Sequence, residues 1–177
     1  MNSRFFIRKS QLKDLALLPE IERAASVLFK NTPFFIAVSK DVTTIEDFKE
    51  AHVDNLLWVA EADGRAVGFA FVEMLEKSAH LDELDVHPDF MQRGIGKALV
   101  KTVCSWADKN KIPAITLTTY KGIVWNELFY AKMGFEILPF NELFLELKNL
   151  VELEDNDGLL LEDRVVMIYR TNLKENM

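Results

Sequence analysis

The chain has 177 residues, 49% of them hydrophobic and 28% charged, with 21 basic against 28 acidic residues for a net charge of −7. That length is one domain, residues 1–177, with enough chain to bury a core, and the acidic balance argues against a nucleic-acid partner. One cysteine, Cys104, excludes an internal disulfide and cysteine-built metal sites. The polar and charged stretch from Met1 to Ser10 lacks an apolar signal core, and no apolar run approaches the ~20 residues that span a bilayer, so no membrane partner and a cytoplasmic location are expected.

Phe5-Phe6-Ile7-Arg8 reads as a first strand. From Ser10, taken as an N-cap, Leu12, Leu15, Leu18, Ile21, Ala25 and Leu28 recur at helical spacing. Pro19 lies inside that pattern and predicts a kink or a break into two helices, and Asn31-Thr32-Pro33 closes the unit. Thr43-Thr44, with Glu46 and Asp47 in the first turn, opens a shorter helix to about Asn55. Leu56 to Ala60, the turn Asp63-Gly64 and Ala66 to Val72 predict a hairpin. His80 to Val86 is a further strand, closed by His87-Pro88. A long helix follows from Gly94 to about Asn110, with Ile95, Leu99, Val103 and Trp106 on one face. Pro113 introduces the strand Ala114 to Thr119. A short helix, Trp125 to Met133, stops at Gly134, and Phe135 to Leu138 is again strand-like. Asn141 to Asp155 has leucine-rich helical spacing, and Arg164 to Arg170 is the last strand. Helices crossing between strands indicate an α/β domain with a mixed sheet.

The strongest local signal is Val86-His87-Pro88-Asp89-Phe90-Met91-Gln92-Arg93-Gly94-Ile95-Gly96-Lys97-Ala98-Leu99. A strand enters a tight loop with two glycines, and an amphipathic helix leaves at once. Such a loop gathers backbone N–H groups at the positive end of a helix dipole, where a pyrophosphate fits. Side chains at Gly94 or Gly96 would block close approach of the backbone. The Walker phosphate loop is excluded, because Ala98 stands where it needs Ser or Thr and Met91 where it needs its first Gly. The dinucleotide fingerprint is excluded by Leu99 in place of its third small residue and by Thr118-Thr119 where an acidic residue should end the next strand.

On these residues the sequence resembles the GNAT family of N-acetyltransferases, whose coenzyme loop follows Q/R-x-x-G-x-G/A after a strand ending in Val. The register here is Met91-Gln92-Arg93-Gly94-Ile95-Gly96, with Met departing from Gln or Arg at the first position. Trp125-Asn126-Glu127-Leu128-Phe129-Tyr130-Ala131-Lys132-Met133-Gly134-Phe135 is similar to the family's short helix, in which Asn and Tyr precede a Gly-Phe pair. The resemblance implies a single N-acetyltransferase domain with a mixed, mostly antiparallel central sheet flanked by helices. It also implies acetyl-CoA as cosubstrate, no metal, and direct attack of a primary amine on the thioester. Gln92, Arg93, Gly94, Ile95, Gly96 and Lys97 would then contact the pyrophosphate, Leu84, Asp85 and Val86 would pair with pantetheine through their backbone, and Asn126 and Tyr130 would complete the coenzyme site.

Acetyl transfer needs a base for the amine, a donor for the oxyanion and an acid for the thiolate. Tyr130 is the candidate acid, a phenol of pKa ~10, against a reading as an aromatic packed on Phe129 and Phe135. The oxyanion donor would be the Val86 N–H. For the base, His80, Asp82 and Leu84 share one strand face while Leu81, Glu83 and Asp85 share the other. His80 is the first expectation, with Asp82 raising its pKa, and Glu83 is next in line. Each of these is also readable as a structural or solvated polar residue. His52 and His87 read as surface or loop residues, and Cys104 as a small buried hydrophobe. Asn141 to Asp155 walls the acceptor site, forms a homodimer contact or is a packed helix. The acceptor expected is a small-molecule amine, with a protein or peptide amine, or non-catalytic sensing of acetyl-CoA, as the alternatives.

Overall fold

A computed structural model describes residues 4–40, 42–156 and 161–171 of the chain, so Met1–Ser3 lie outside it. The seven strands are β1 Phe5–Lys9, β2 Leu57–Ala62, β3 Arg65–Met74, β4 Ala79–Val86, β5 Ala114–Tyr120, β6 Glu136–Ile137 and β7 Arg164–Arg170. The helices are α1 Leu18–Ala25, α2 Phe35–Lys40, α3 Ile45–Val53, α4 Ile95–Lys109, α5 Val124–Lys132 and α6 Leu145–Asn156. The sheet runs β1-β2-β3-β4-β5-β7-β6. β1–β2, β2–β3, β5–β7 and β6–β7 pair antiparallel and β4–β5 parallel, so the sheet is mixed and mostly antiparallel, as expected. Among the described residues no helix is long and apolar enough to cross a membrane.

The chain divides into two compact units, and β4 contributes to both, Ala79–Leu81 to one and Asp82–Val86 to the other. The first unit holds residues 1–73 and 82–102. Its core joins Leu15, Leu18 and Ile21 to Phe48, Leu57, Val59, Phe69 and Phe71. Phe48 meets Phe69 edge to face at 5.1 Å, a geometry that adds about 1 kcal/mol to simple area burial. The β2–β3 hairpin turns on Asp63 (φ 52°) and Gly64 (φ 78°), both left-handed as a type I′ turn requires. Thr44 caps α3 in a reciprocal box with Asp47.

Two expectations are corrected at α1. Pro19 does not kink a helix; it occupies the first turn, where its missing N–H costs nothing, so α1 starts there and Leu12–Leu17 form turns. Ser10 is therefore no N-cap. It is buried, with its hydroxyl 2.8 Å from His52 Nδ1. α2 is an addition to the predicted elements, a short apolar helix with no buried residue.

The second unit holds residues 74–81 and 103–177. Leu147 and Val151 of α6 pack with Ala114, Leu138, Val166 and Ile168, which makes the leucine-rich segment a helix of this core. Cys104 is buried, and burial with Asp108 nearby pushes its thiol up to about 12, the inert state expected of a small core residue.

Candidate active site

The loop between β4 and α4 belongs to the first unit. After β4 the chain makes one 3-10 turn, Pro88–Phe90, whose Phe90 is buried and anchors the loop base. Gln92 (φ 60°) and Gly94 (φ 83°) are both left-handed, which turns the peptide planes of the loop toward one side. At Gly94 the conformation, not crowding, demands glycine, because a Cβ there would meet nothing within 4 Å. The helical hydrogen bond from the Ala98 N–H to the Gly94 carbonyl, 3.0 Å, leaves the Ile95, Gly96 and Lys97 N–H groups at the open first turn of α4. Left-handed loop, open Gly94 and helix N-terminus together fit a pyrophosphate.

Gly68 fixes how closely β3 approaches β4. A Cβ on it would lie 2.8 Å from the Asp85 carbonyl and 3.2 Å from a Val86 methyl. The His87 N–H donates to the Val67 carbonyl at 2.9 Å and ends β4 there. The parallel register with β5 joins Ala79 to Ile115 and His80 to Thr116.

Glu83 and Asp85, which alternate onto one face of β4, meet Glu22 of α1. Carboxylate oxygens of the three all lie within 4.8 Å of one another. Glu22 is 6% exposed, and its Oε1 accepts from the Thr43 N–H (3.0 Å) and hydroxyl (3.3 Å), which holds it from the opposite end of the α2 excursion. Burial and then the Glu22 charge raise the Asp85 pKa well above the ordinary carboxylate value. Sequence reasoning did not single out Glu22. Its signal was present, because Leu18, Ile21, Glu22 and Ala25 form one helical stripe and a carboxylate interrupts it.

His80 lies in the second unit and differs from expectation. It is 1% exposed, its Nδ1 stands 2.9 Å from the Thr116 hydroxyl, and burial followed by the Arg164 charge lowers its pKa to about 3. A neighbouring carboxylate was expected to raise it; desolvation of the imidazolium and then the Arg164 cation move it the other way. Asp82 and Leu84 are half-buried on β4. His87 is partly exposed and accepts from the Asp89 N–H at 3.3 Å, a loop-closing role.

On α5, Tyr130 is half-buried between Phe129 (5.0 Å) and Phe135 (5.7 Å), both edge-on. Asn126, one turn earlier, donates to the Thr119 hydroxyl at 3.1 Å and ties the helix to the end of β5. Gly134 (φ 93°) stops the helix and lets Tyr169 approach within 3.5 Å of where a Cβ would stand.

The profile of the acetyltransferase (GNAT) domain matches residues 54–137, from the end of α3 to β6. An uncharacterized N-acetyltransferase of Methanocaldococcus jannaschii is 35% identical over 140 residues, covering 75% of this chain and 81% of that protein. The peptidyl-lysine N-acetyltransferase YjaB of Salmonella typhimurium is 35% identical over 88 residues, covering 49% of this chain and 54% of its own. Among solved structures, the PaiA N-acetyltransferase of Thermoplasma acidophilum in complex with coenzyme A has the same fold, with a TM-score of 0.72 at 19% identity over 94% of this chain and 99% of that one. The chain belongs to the GNAT family and is an N-acetyltransferase that uses acetyl-CoA.

Proposed function

We propose that the enzyme acetylates a primary amine of a small cationic molecule, and that the Glu22, Glu83 and Asp85 carboxylates receive that amine. The observation that carries this reading is the convergence of the three carboxylates in the first unit, Glu22 buried and Glu83 and Asp85 half-buried. Such a group attracts an alkylammonium and offers it a proton acceptor. Glu83 is the base in this reading. A neutral, buried His80 with a pKa near 3 is poorly placed for that task and serves packing instead. The free amine then attacks the thioester carbonyl carbon with the oxyanion on the Val86 N–H. The carbon–sulfur bond breaks, Tyr130 donates its proton to the departing thiolate, and the surplus proton of the acetylated nitrogen is lost to water, from which the Tyr130 phenolate recovers a proton. Gln92 to Lys97 hold the pyrophosphate through backbone N–H groups, the backbone of Leu84 to Val86 aligns pantetheine, and Asn126 keeps α5 in place.

A lysine side chain of a protein presents the same slim ammonium, and the peptidyl-lysine acetyltransferase similar over half of this chain supports that as the second reading. A screen of diamines, arylalkylamines, amino acids and lysine peptides with acetyl-CoA, read by thiol release, separates the two. Turnover of free amines at least about tenfold above lysine peptides in kcat/KM, a difference of about 1.4 kcal/mol in transition-state binding, is expected. The reverse order would transfer the site to protein substrates. With the best acceptor, Glu83→Gln and Tyr130→Phe should each lower kcat by about 100-fold, the scale of acid–base catalysis.

A further inference from the structure

Two guanidinium groups share one aromatic ring beside the glycine loop. The Arg93 Cζ lies 4.9 Å and the Arg65 Cζ 5.6 Å from the centre of the Phe90 ring. Arg93 belongs to the loop itself, and its Nη2 donates to the Asp89 carbonyl at 2.7 Å. Arg65 opens β3, directly after the Asp63-Gly64 turn, and no part of the loop signature includes it. Among the described residues neither guanidinium is ion-paired with a carboxylate. Of the acidic residues close in sequence, Asp63 is exposed in its turn and Asp89 faces His87 Nδ1 at 3.7 Å.

A guanidinium held over a ring has its plane fixed while its edge N–H groups stay available, which is the geometry that grips a phosphate. Here a protein of net charge −7 sets two such groups on one ring. The coenzyme carries two phosphate-bearing parts, a pyrophosphate and a 3′-phosphate monoester on its ribose. The N–H groups of the loop suit the first and leave the dianionic monoester without a counter-charge. We propose that Arg65, together with Arg93, binds the ribose 3′-phosphate of the coenzyme. This rests on the reading of the loop as the pyrophosphate site. It makes Arg65 the residue that distinguishes coenzyme A from its 3′-dephospho form.

Calorimetric titration of the full chain with coenzyme A and with 3′-dephospho-coenzyme A tests the assignment. The wild type should bind coenzyme A about 10- to 100-fold more tightly, the range of a hydrogen bond between charged groups. Arg65→Gln keeps an aliphatic stem over Phe90 and should remove most of that preference, with dephospho-coenzyme affinity held to within about twofold of wild type. Arg65→Glu should go further and favour the dephospho form. If Arg65→Gln retains the wild-type preference, or weakens both ligands equally, the assignment is wrong while the loop still binds coenzyme. If the folded wild type binds neither ligand, the loop reading itself fails and the assignment fails with it.

Discussion

Burial and the adjacent Glu22 carboxylate hold the Asp85 pKa well above its ordinary 3.8. A carboxyl of this kind keeps its proton in the native state after the unfolded chain has released it. Stability therefore falls as pH rises from about 3.8 through the raised native value and levels off above it. Asp85→Asn cannot ionise, so the variant should melt above the wild type at neutral pH and lose that advantage well below pH 3.8. Thermal melts from about pH 3 to about pH 8 read the difference, and equal midpoints at neutral pH would show that folding does not raise the Asp85 pKa. The same residues show what a sequence can and cannot disclose at this scale. Alternation along β4 is enough to put Glu83 and Asp85 on a shared face. It could not show that Glu22, distant in sequence, would join them, since that depends on α1 packing in the first unit. His80 is a case of the same kind: strand periodicity says which face it takes, while its buried contact with Thr116 of β5 was not legible in the sequence.

At the scale of elements, the turn from β4 into α4 was the most legible part of the chain, because its demands are local. Left-handed backbone at Gln92 and Gly94 and an open helix start follow from a few consecutive residues. Gly96 lies within the first turn of α4, so Gly96→Glu should leave the helix intact while adding bulk and negative charge at the proposed pyrophosphate site. Affinity for coenzyme A should drop by at least about 100-fold, the cost of a buried like-charge contact of several kcal/mol, with far-ultraviolet dichroism unchanged. Undiminished binding in the folded variant would remove the loop from the coenzyme site. The hairpin, α3 and α5 were legible for the same local reasons, in the Asp63-Gly64 turn, the Thr44–Asp47 box and the Gly134 stop. What was not legible depended on a residue having two permitted roles. Proline breaks a helix or begins one, and only the turns at Leu12–Leu17 decide that Pro19 begins α1. The α2 run Phe35-Ile36-Ala37-Val38 has no amphipathic period, and it buries no residue, so no 3.6-residue pattern announced a helix.

At the scale of the whole molecule, the two ligands of the reaction meet charge in opposite ways. The coenzyme is a polyanion approaching a protein of net charge −7, so long-range repulsion opposes the local attraction proposed for Arg65, Arg93 and Lys97. Salt screens both effects, and they partly cancel in the association rate. The acceptor amine has no such conflict. In the proposed reading a cation is drawn first by the overall charge and then by the three carboxylates, and both attractions weaken with ionic strength. For a cationic acceptor, kcat/KM at saturating acetyl-CoA should therefore fall about three- to tenfold as salt rises from about 20 mM to about 200 mM, where the screening length shrinks to below about 10 Å. An acceptor that also carries a carboxylate, and so has no net charge, should change less than about twofold over the same range, since its long-range attraction is already cancelled. Glu22→Gln should flatten the slope for the cationic acceptor, because it removes one of the converging charges without touching the coenzyme loop. Equal salt slopes for cationic and zwitterionic acceptors would mean that the carboxylates of α1 and β4 do not receive the amine.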